Sequence, residues 1–405
     1  MTIDAALTAD ARELAHDLTV LRHAIHREPE LGLELPRTQE KVLTALEGLG
    51  LELTPGKGLN SVTAVLRGAA DGPTVLLRGD MDALPLQETR VHDVEISRID
   101  GVMHACGHDL HTSMLVGAAR LLAVRRESLA GSVVFMFQPG EEGEDGAAHM
   151  IEEGVLEAAG ARPSAAYALH VSSGFVGRGM FTARSGPMMA SCADLRVTVR
   201  GRGGHGSAPH RANDPIPAAC EMVTAIQTAV TRKFDIFDPV VVGVGSFHAG
   251  TKENIIPETA HFHATVRTFS QEAQDRVRPV LLDVVNGIAR AHGLEVDVDF
   301  QGLYPVTVND ASAVETVERT VGELFGEERY TTMRQPLAGA EDFSRVLQAV
   351  PGAMVFLGAA IDGRDADTAP DNHSSEAAFD DRVLPDGAAL LARLALGHLG
   401  AATRA

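Results

Sequence analysis

Apolar positions along this chain change period several times, and each change marks an element. Between residues 8 and 28, Leu14, Leu18, Leu21 and Ile25 recur at helical spacing and predict one amphipathic helix. The run TQEKVLTALEGLG predicts a second helix, ended by Gly50. SVTAVLRG and TVLLRGD are short apolar runs bounded by Gly and Pro, as strands are. A long helical pattern over 109–124 is followed by a strand (SVVFMFQ), a helix over 147–153 and a strand (AAYALH). Strands alternating with helices predict an α/β domain with a doubly wound, mostly parallel sheet.

Near Ser185 the pattern shifts. DLRVTVRG alternates with period two, the mark of a half-exposed strand. A helix over 215–231, strands VVVGVGSF and AHFHATVRTF, a helix over 271–292 and strand LEVDVDF follow. The order β-α-β-β-α-β is the ferredoxin-like signature. After it, AMVFLG and its flanking helices return to the first pattern. The expected organisation is one α/β domain, residues 1–185 and 303–405, interrupted by an inserted α+β ferredoxin-like domain over 186–302.

Length, charge, hydropathy and cysteine count sharpen this. A chain of 405 residues exceeds one ordinary core, which suits two domains. A formal net charge of −20 argues against nucleic-acid partners, whose phosphates need a basic face, and against anionic membrane surfaces. No apolar run approaches the roughly 20 residues of a membrane span, and the N-terminus lacks the basic-then-apolar order of a signal peptide. Three cysteines make no disulfide framework, so the expected compartment is the cytoplasm. Cys192 and Cys220 read as small core residues.

Cys106 is set apart by its neighbours. MHACGHDLHT packs a Cys and three His between glycine and a helix start. In an open α/β sheet, ligands bind beyond the carboxyl ends of strands. Five polar clusters fall at such places: Asp80 and Asp82; Cys106, His108 and Asp109; Glu141 and Glu142; His170; and His373 in the loop before the last helix. Each alone has an ordinary explanation as a cap, a solvated turn or a surface His. Together they supply thiolate, imidazole and carboxylate, the donor set of Zn²⁺ and related ions. Gly107 allows the irregular turn that brings Cys106 and His108 together. The paired glutamates suggest a division of labour, one binding metal while the other acts as base on a water. His104 and His111 read as partners of ligands, and His26 as part of a packing motif.

The motifs HREPELGLE, RGDMDALP, MHACGHDLHT, FQPGEEG, ALHV, GRGGHGSAPH, NIIP, GAEDF and NHS occur in this order over nearly the whole chain. In this the chain resembles the amidohydrolase branch of the dinuclear aminoacylase/carboxypeptidase-type metallohydrolases. That branch includes hippurate hydrolases, N-acyl-amino-acid amidohydrolases and auxin-conjugate hydrolases. The resemblance implies two divalent ions per chain (Zn, Mn, Co or Ni). It implies that Cys106 bridges them, that His108 and His170 bind one, and that Glu142 and His373 bind the other. It further implies Glu141 as general acid/base, Asp82 as the carboxylate that fixes the site, and His205 as a lid residue steadying the oxyanion in a neighbouring subunit. Asn254 and Arg267 match substrate-binding lid positions.

The implied reaction is hydrolysis of a small N-acyl amino acid by a homodimer formed through the lid. Two alternatives remain open at this stage. One is a dinuclear peptidase cutting dipeptides; the other is a non-catalytic metal- or ligand-binding relative. A binder has no use for Glu141 beside Glu142.

Overall fold

In the computed structural model, which describes residues 3–91 and 94–402, the apolar runs of the first half form the middle of an eight-stranded sheet. Its strand order is Glu52–Pro55, Val62–Arg67, Ala130–Gln138, Ala70–Asp80, Ala165–Ser172, Gly352–Gly358, Phe181–Ala183 and Tyr330–Thr332. The four central strands are mutually parallel. Towards both edges antiparallel pairs enter, while the outermost pair, Phe181–Ala183 with Tyr330–Thr332, is parallel, so the sheet is mixed but mostly parallel. Ala165–Ser172 and Gly352–Gly358 are buried along their whole length, which is why they read as unbroken apolar runs.

Helix His108–Ala123 begins one residue earlier than the periodicity suggests and is buried on almost every side. Helices Ala15–His26 and Leu384–Ala402 pack against it, so its sequence is apolar all round. The single helix expected over 8–28 is two, Ile3–Glu13 and Ala15–His26. At Leu14 the N–H is shared between Asp10 O at 3.3 Å and Ala11 O at 3.1 Å, a local tightening that leaves the apolar stripe uninterrupted. Among the described residues, no helix is long and apolar enough to cross a membrane.

The chain divides into two compact units, Met1–Gly186 with Val308–Gln335 and Arg345–Ala405, and Pro187–Thr307 with Pro336–Ser344. The segment 336–344 therefore joins the second unit, not the first as its position after the insertion suggests. Backbone bonds hold it there: Leu337 donates to Met188 O at 3.0 Å and accepts from Ala190 N–H at 3.0 Å.

The second unit is a four-stranded antiparallel sheet in the order Val240–Ala249, Thr259–Thr268, Cys192–Arg200, Glu295–Tyr304. With helices Pro215–Lys233 and Gln271–Ala291, this is the ferredoxin-like order. Asp214 and Ser270 cap those helices, accepting from Ile216 N–H and Ala273 N–H at 3.0 Å each. One face buries Leu195, Val197, Val199, Phe262 and Val266 under the helices, hence the period-two alternation. Cys192 is buried, but Cys220 is exposed, because it lies on the outer side of its helix while Ala218, Ala219 and Met222 face the core.

Candidate metal centre

The turn at residues 106–108 is shaped by Gly107. Its φ of 82° is left-handed, and a Cβ there would lie 2.3 Å from Cγ2 of Val171. Cys106 and His108 are thereby presented together at the start of the buried helix. Ligand atoms of Cys106, His108 and His170 lie within 4.8 Å of one another, and so do those of Cys106, Glu142 and His373. Cys106 belongs to both groups. Its Sγ is 3.4 Å from His170 Nε2 and 3.3 Å from His373 Nε2.

Each imidazole is oriented by its other edge or by its loop. His170 Nδ1 bonds the Val171 carbonyl at 2.8 Å, leaving Nε2 towards the thiol. His108 Nδ1 lies 3.4 Å from Asp82 Oδ1. His373 has a φ of 68°, uncommon for any residue but Gly, and its N–H donates to Ala105 O at 3.0 Å. Asp82, fully buried, accepts the N–H of Glu141 on Oδ1 and of Glu142 on Oδ2, both at 3.0 Å. One carboxylate thus fixes the glutamate turn and faces a ring of the Cys106 turn. Glu141 is also buried and converges with His108 and Glu142.

Charge follows the same plan. Burial alone would depress the His108 pKa, but Asp80, Asp82 and Cys106 outweigh it and raise it well above the ordinary value. Hydrogen bonds with Cys106 and Glu142 push His373 up to about 10. His170 is held well below the usual range by burial and by His111.

Asp80, His108 and His111 also converge, yet His111 is fully engaged. Its Nδ1 bonds Asp80 Oδ1 at 2.5 Å and its Nε2 accepts Val171 N–H at 2.8 Å. Asp80 in turn pairs with buried Arg78, whose Nε donates to Gln138 at 2.9 Å. His26 is no packing residue. It joins Arg22 on Asp109, at 2.8 Å and 2.7 Å, and reaches Glu88 at 3.2 Å. Those partners are distant in sequence, which hid the role. His104 is buried, neither ring nitrogen has a hydrogen-bond partner among the described residues, and burial drops its pKa to about 3.

In the second unit, His205 sits in a short exposed strand, Gly204–His205, paired with Ile255–Ile256. Its Nδ1 accepts Ser207 N–H at 3.1 Å. Asn254 adjoins this turn, accepting Gly206 N–H at 2.9 Å through its carbonyl. Arg267 is half-buried, and its buried Nη1 has no hydrogen-bond partner among the described residues.

The first-unit site fits a pair of divalent ions. Buried His108 Nε2 has no hydrogen-bond partner among the described residues, and Glu142 Oε1 has only His373 Nε2 beside it at 3.1 Å, an expense that a cation would offset. Sequence reasoning passed over Asn372 and Ser173, which hold the His373 loop, and left the Arg78–Asp80 pair without a role. The signal available was an Arg inside an otherwise apolar buried strand.

The chain matches the family model described as Peptidase family M20/M25/M40 over residues 76–397. It is 37% identical over 395 residues to Thermostable carboxypeptidase 2 of Saccharolobus solfataricus, covering 96% of this chain and 97% of that protein. It is 35% identical over 393 residues to Hippurate hydrolase of Campylobacter jejuni, covering 97% and 99%. Among solved structures, the Bacillus subtilis YXEP protein, a dinuclear metal binding peptidase from the M20 family, is similar with a TM-score of 0.81 at 30% identity. That likeness covers 96% of this chain and 99% of the other.

Proposed function

This chain belongs to peptidase family M20/M25/M40 and is a hydrolase, and we propose that it cleaves the amide bond of N-acyl amino acids, releasing a carboxylic acid and an amino acid. The observation that carries this reading is the glutamate pair. Glu142 groups with Cys106 and His373, whereas Glu141 is needed to complete neither three-residue set around Cys106, and Asp82 holds both in place. The extra carboxylate is what a hydrolase needs and a binder does not.

Cys106, His108 and His170, with Cys106, Glu142 and His373, would hold two divalent ions (Zn, Mn, Co or Ni), which supply Lewis acidity and a water acidic enough to ionise near neutral pH. Glu141 takes a proton from the attacking water as its oxygen bonds to the acyl carbon. Glu141 then gives that proton to the amide nitrogen as the C–N bond breaks and the amino acid leaves. His205 accepts on Nδ1, so its proton resides on Nε2 and can be donated to the oxyanion. Nη1 of Arg267, without a partner among the described residues, suits the substrate carboxylate, with Asn254 as a neighbouring polar contact. The assembly in this reading is a homodimer through the second unit, in which His205 serves the other subunit. Exposed Val241 and Phe247 on the edge strand Val240–Ala249 support it. Nucleic acid and membranes have no place in it, and the cytoplasm is the proposed compartment.

A second reading, a metallopeptidase acting on dipeptides, draws on the 37% identity to a carboxypeptidase. One assay separates the two. Chain loaded with Mn²⁺ or Zn²⁺ should release benzoate from hippurate faster than it cuts dipeptides, and chelation should abolish the release. Preference for dipeptides, or benzoate release indifferent to chelation, contradicts the proposal.

A further inference from the structure

Asn372 lies outside the ligand set and outside the chemistry just described. Its Oδ1 accepts Ser173 N–H at 2.9 Å, and the Ser173 hydroxyl lies 3.0 Å from the same oxygen. That fixes which edge of the amide faces the other way. Nδ2 then donates among three acceptors: Val171 O at 3.0 Å, Cys106 O at 3.2 Å and Cys106 Sγ at 3.8 Å. Val171 directly follows His170, and its own N–H is held from the opposite side by His111 at 2.8 Å. His373 directly follows Asn372 and carries the left-handed φ of 68°. One amide thus ties together the three backbone segments that present Cys106, His170 and His373.

We propose that Asn372 is the positioning residue of the shared thiolate. Resting on the two-ion reading above, this assigns it two tasks. Its bonds to the Cys106 and Val171 carbonyls set the spacing at which one sulfur lies between two imidazoles. The N–H on the Cys106 side is shared between that carbonyl and Sγ, 3.8 Å away, and so withdraws electron density from the thiolate, which tunes how strongly the sulfur donates to each ion. A bridging thiolate carries more of the site's charge than any single imidazole, so a donor aimed at it acts on both ions at once.

The test uses the full chain loaded with Co²⁺, whose bond to a thiolate gives a near-ultraviolet charge-transfer band. Affinity is measured by chelator competition, and folding by circular dichroism. Asn372→Ala and the near-isosteric Asn372→Leu should each weaken Co²⁺ binding about 10–100-fold and shift the band. Ser375→Ala, which removes a hydroxyl of the same loop that meets Thr89 and not Asn372, should leave the band in place. Wild-type affinity and an unshifted band in a folded Asn372 variant overturn the proposal. So does a Ser375→Ala chain that reproduces the shift, since the effect would then belong to the loop and not to the contact with sulfur. Absence of the band from the wild-type chain overturns the thiolate site itself. These readouts are independent of amide hydrolysis, so a chain inactive on N-acyl amino acids can still support the role of Asn372.

Discussion

The two units carry their candidate chemistry in opposite ways. In the first, Cys106, His108, His170 and Glu141 are buried beside the sheet, and hydrogen bonds accepted by Asp82, Val171 and Asp80 fix their surroundings. In the second, His205 is exposed on a two-residue strand and is oriented by one local bond from Ser207 N–H. The first arrangement suits ligands, which must converge before a cation arrives and whose unpaired atoms are costly when buried. The second suits a donor that meets its target only when substrate is present, so it needs orientation and not burial.

If that contrast is right, substitutions in the two units fail differently. The largest effect belongs to Cys106→Ala. Removing an atom common to both ligand groups should take bound metal from about two ions to near zero and hydrolysis down by at least about 10³-fold, the loss of Lewis-acid and water-activating chemistry together. Elemental analysis after desalting and a hippurate assay check both. Metal retained in full would place the shared role elsewhere.

His205→Ala should reduce kcat by roughly 10²–10³-fold, the usual loss of one oxyanion donor, while bound metal stays at the wild-type level. Mixing it with Glu141→Gln sharpens the comparison further. In the proposed dimer, one subunit of each kind would give one site with both groups, so up to about half the sites of each mixed dimer should work. No recovery in verified mixed dimers would confine His205 to its own subunit or to no site.

Asp82→Asn should have a smaller effect. The amide can accept one of the two glutamate N–H groups but turns a donor towards the other, so metal affinity should fall about 10–100-fold. A chelator titration measures it, and unchanged affinity would show that the glutamate turn holds itself.

The same contrast explains what could be read from the chain alone. The central strands were legible because both faces are buried, which forces unbroken apolar runs such as VVFMF and AMVFLG. The alternation in DLRVTVRG was legible for the converse reason, since helices cover only one face of that sheet. The break at Leu14 was not, because Leu14 continues the apolar stripe across it. Nor was the transfer of 336–344 to the second unit, because its ties to Met188 and Ala190 run through backbone and leave no trace in residue type.

At the site, the convergent groups announced themselves by chemistry: a thiol, imidazoles and paired carboxylates at strand ends are hard to explain otherwise. Asn372 and Ser173 are ordinary loop residues by type, and only their bonds distinguish them. His26 looked like packing because its carboxylate partner, Asp109, is 83 residues away and meets it only in the fold.

The most direct test of the account is Glu141→Gln, measured for metal content and hippurate turnover on the same sample. The side chain keeps its size and hydrogen bonding but loses the base. Close to two ions per chain are expected in both proteins, with a kcat at least about 10²-fold lower in the variant. A Glu141→Gln chain that turns over hippurate at nearly the wild-type rate with its metal intact would contradict it.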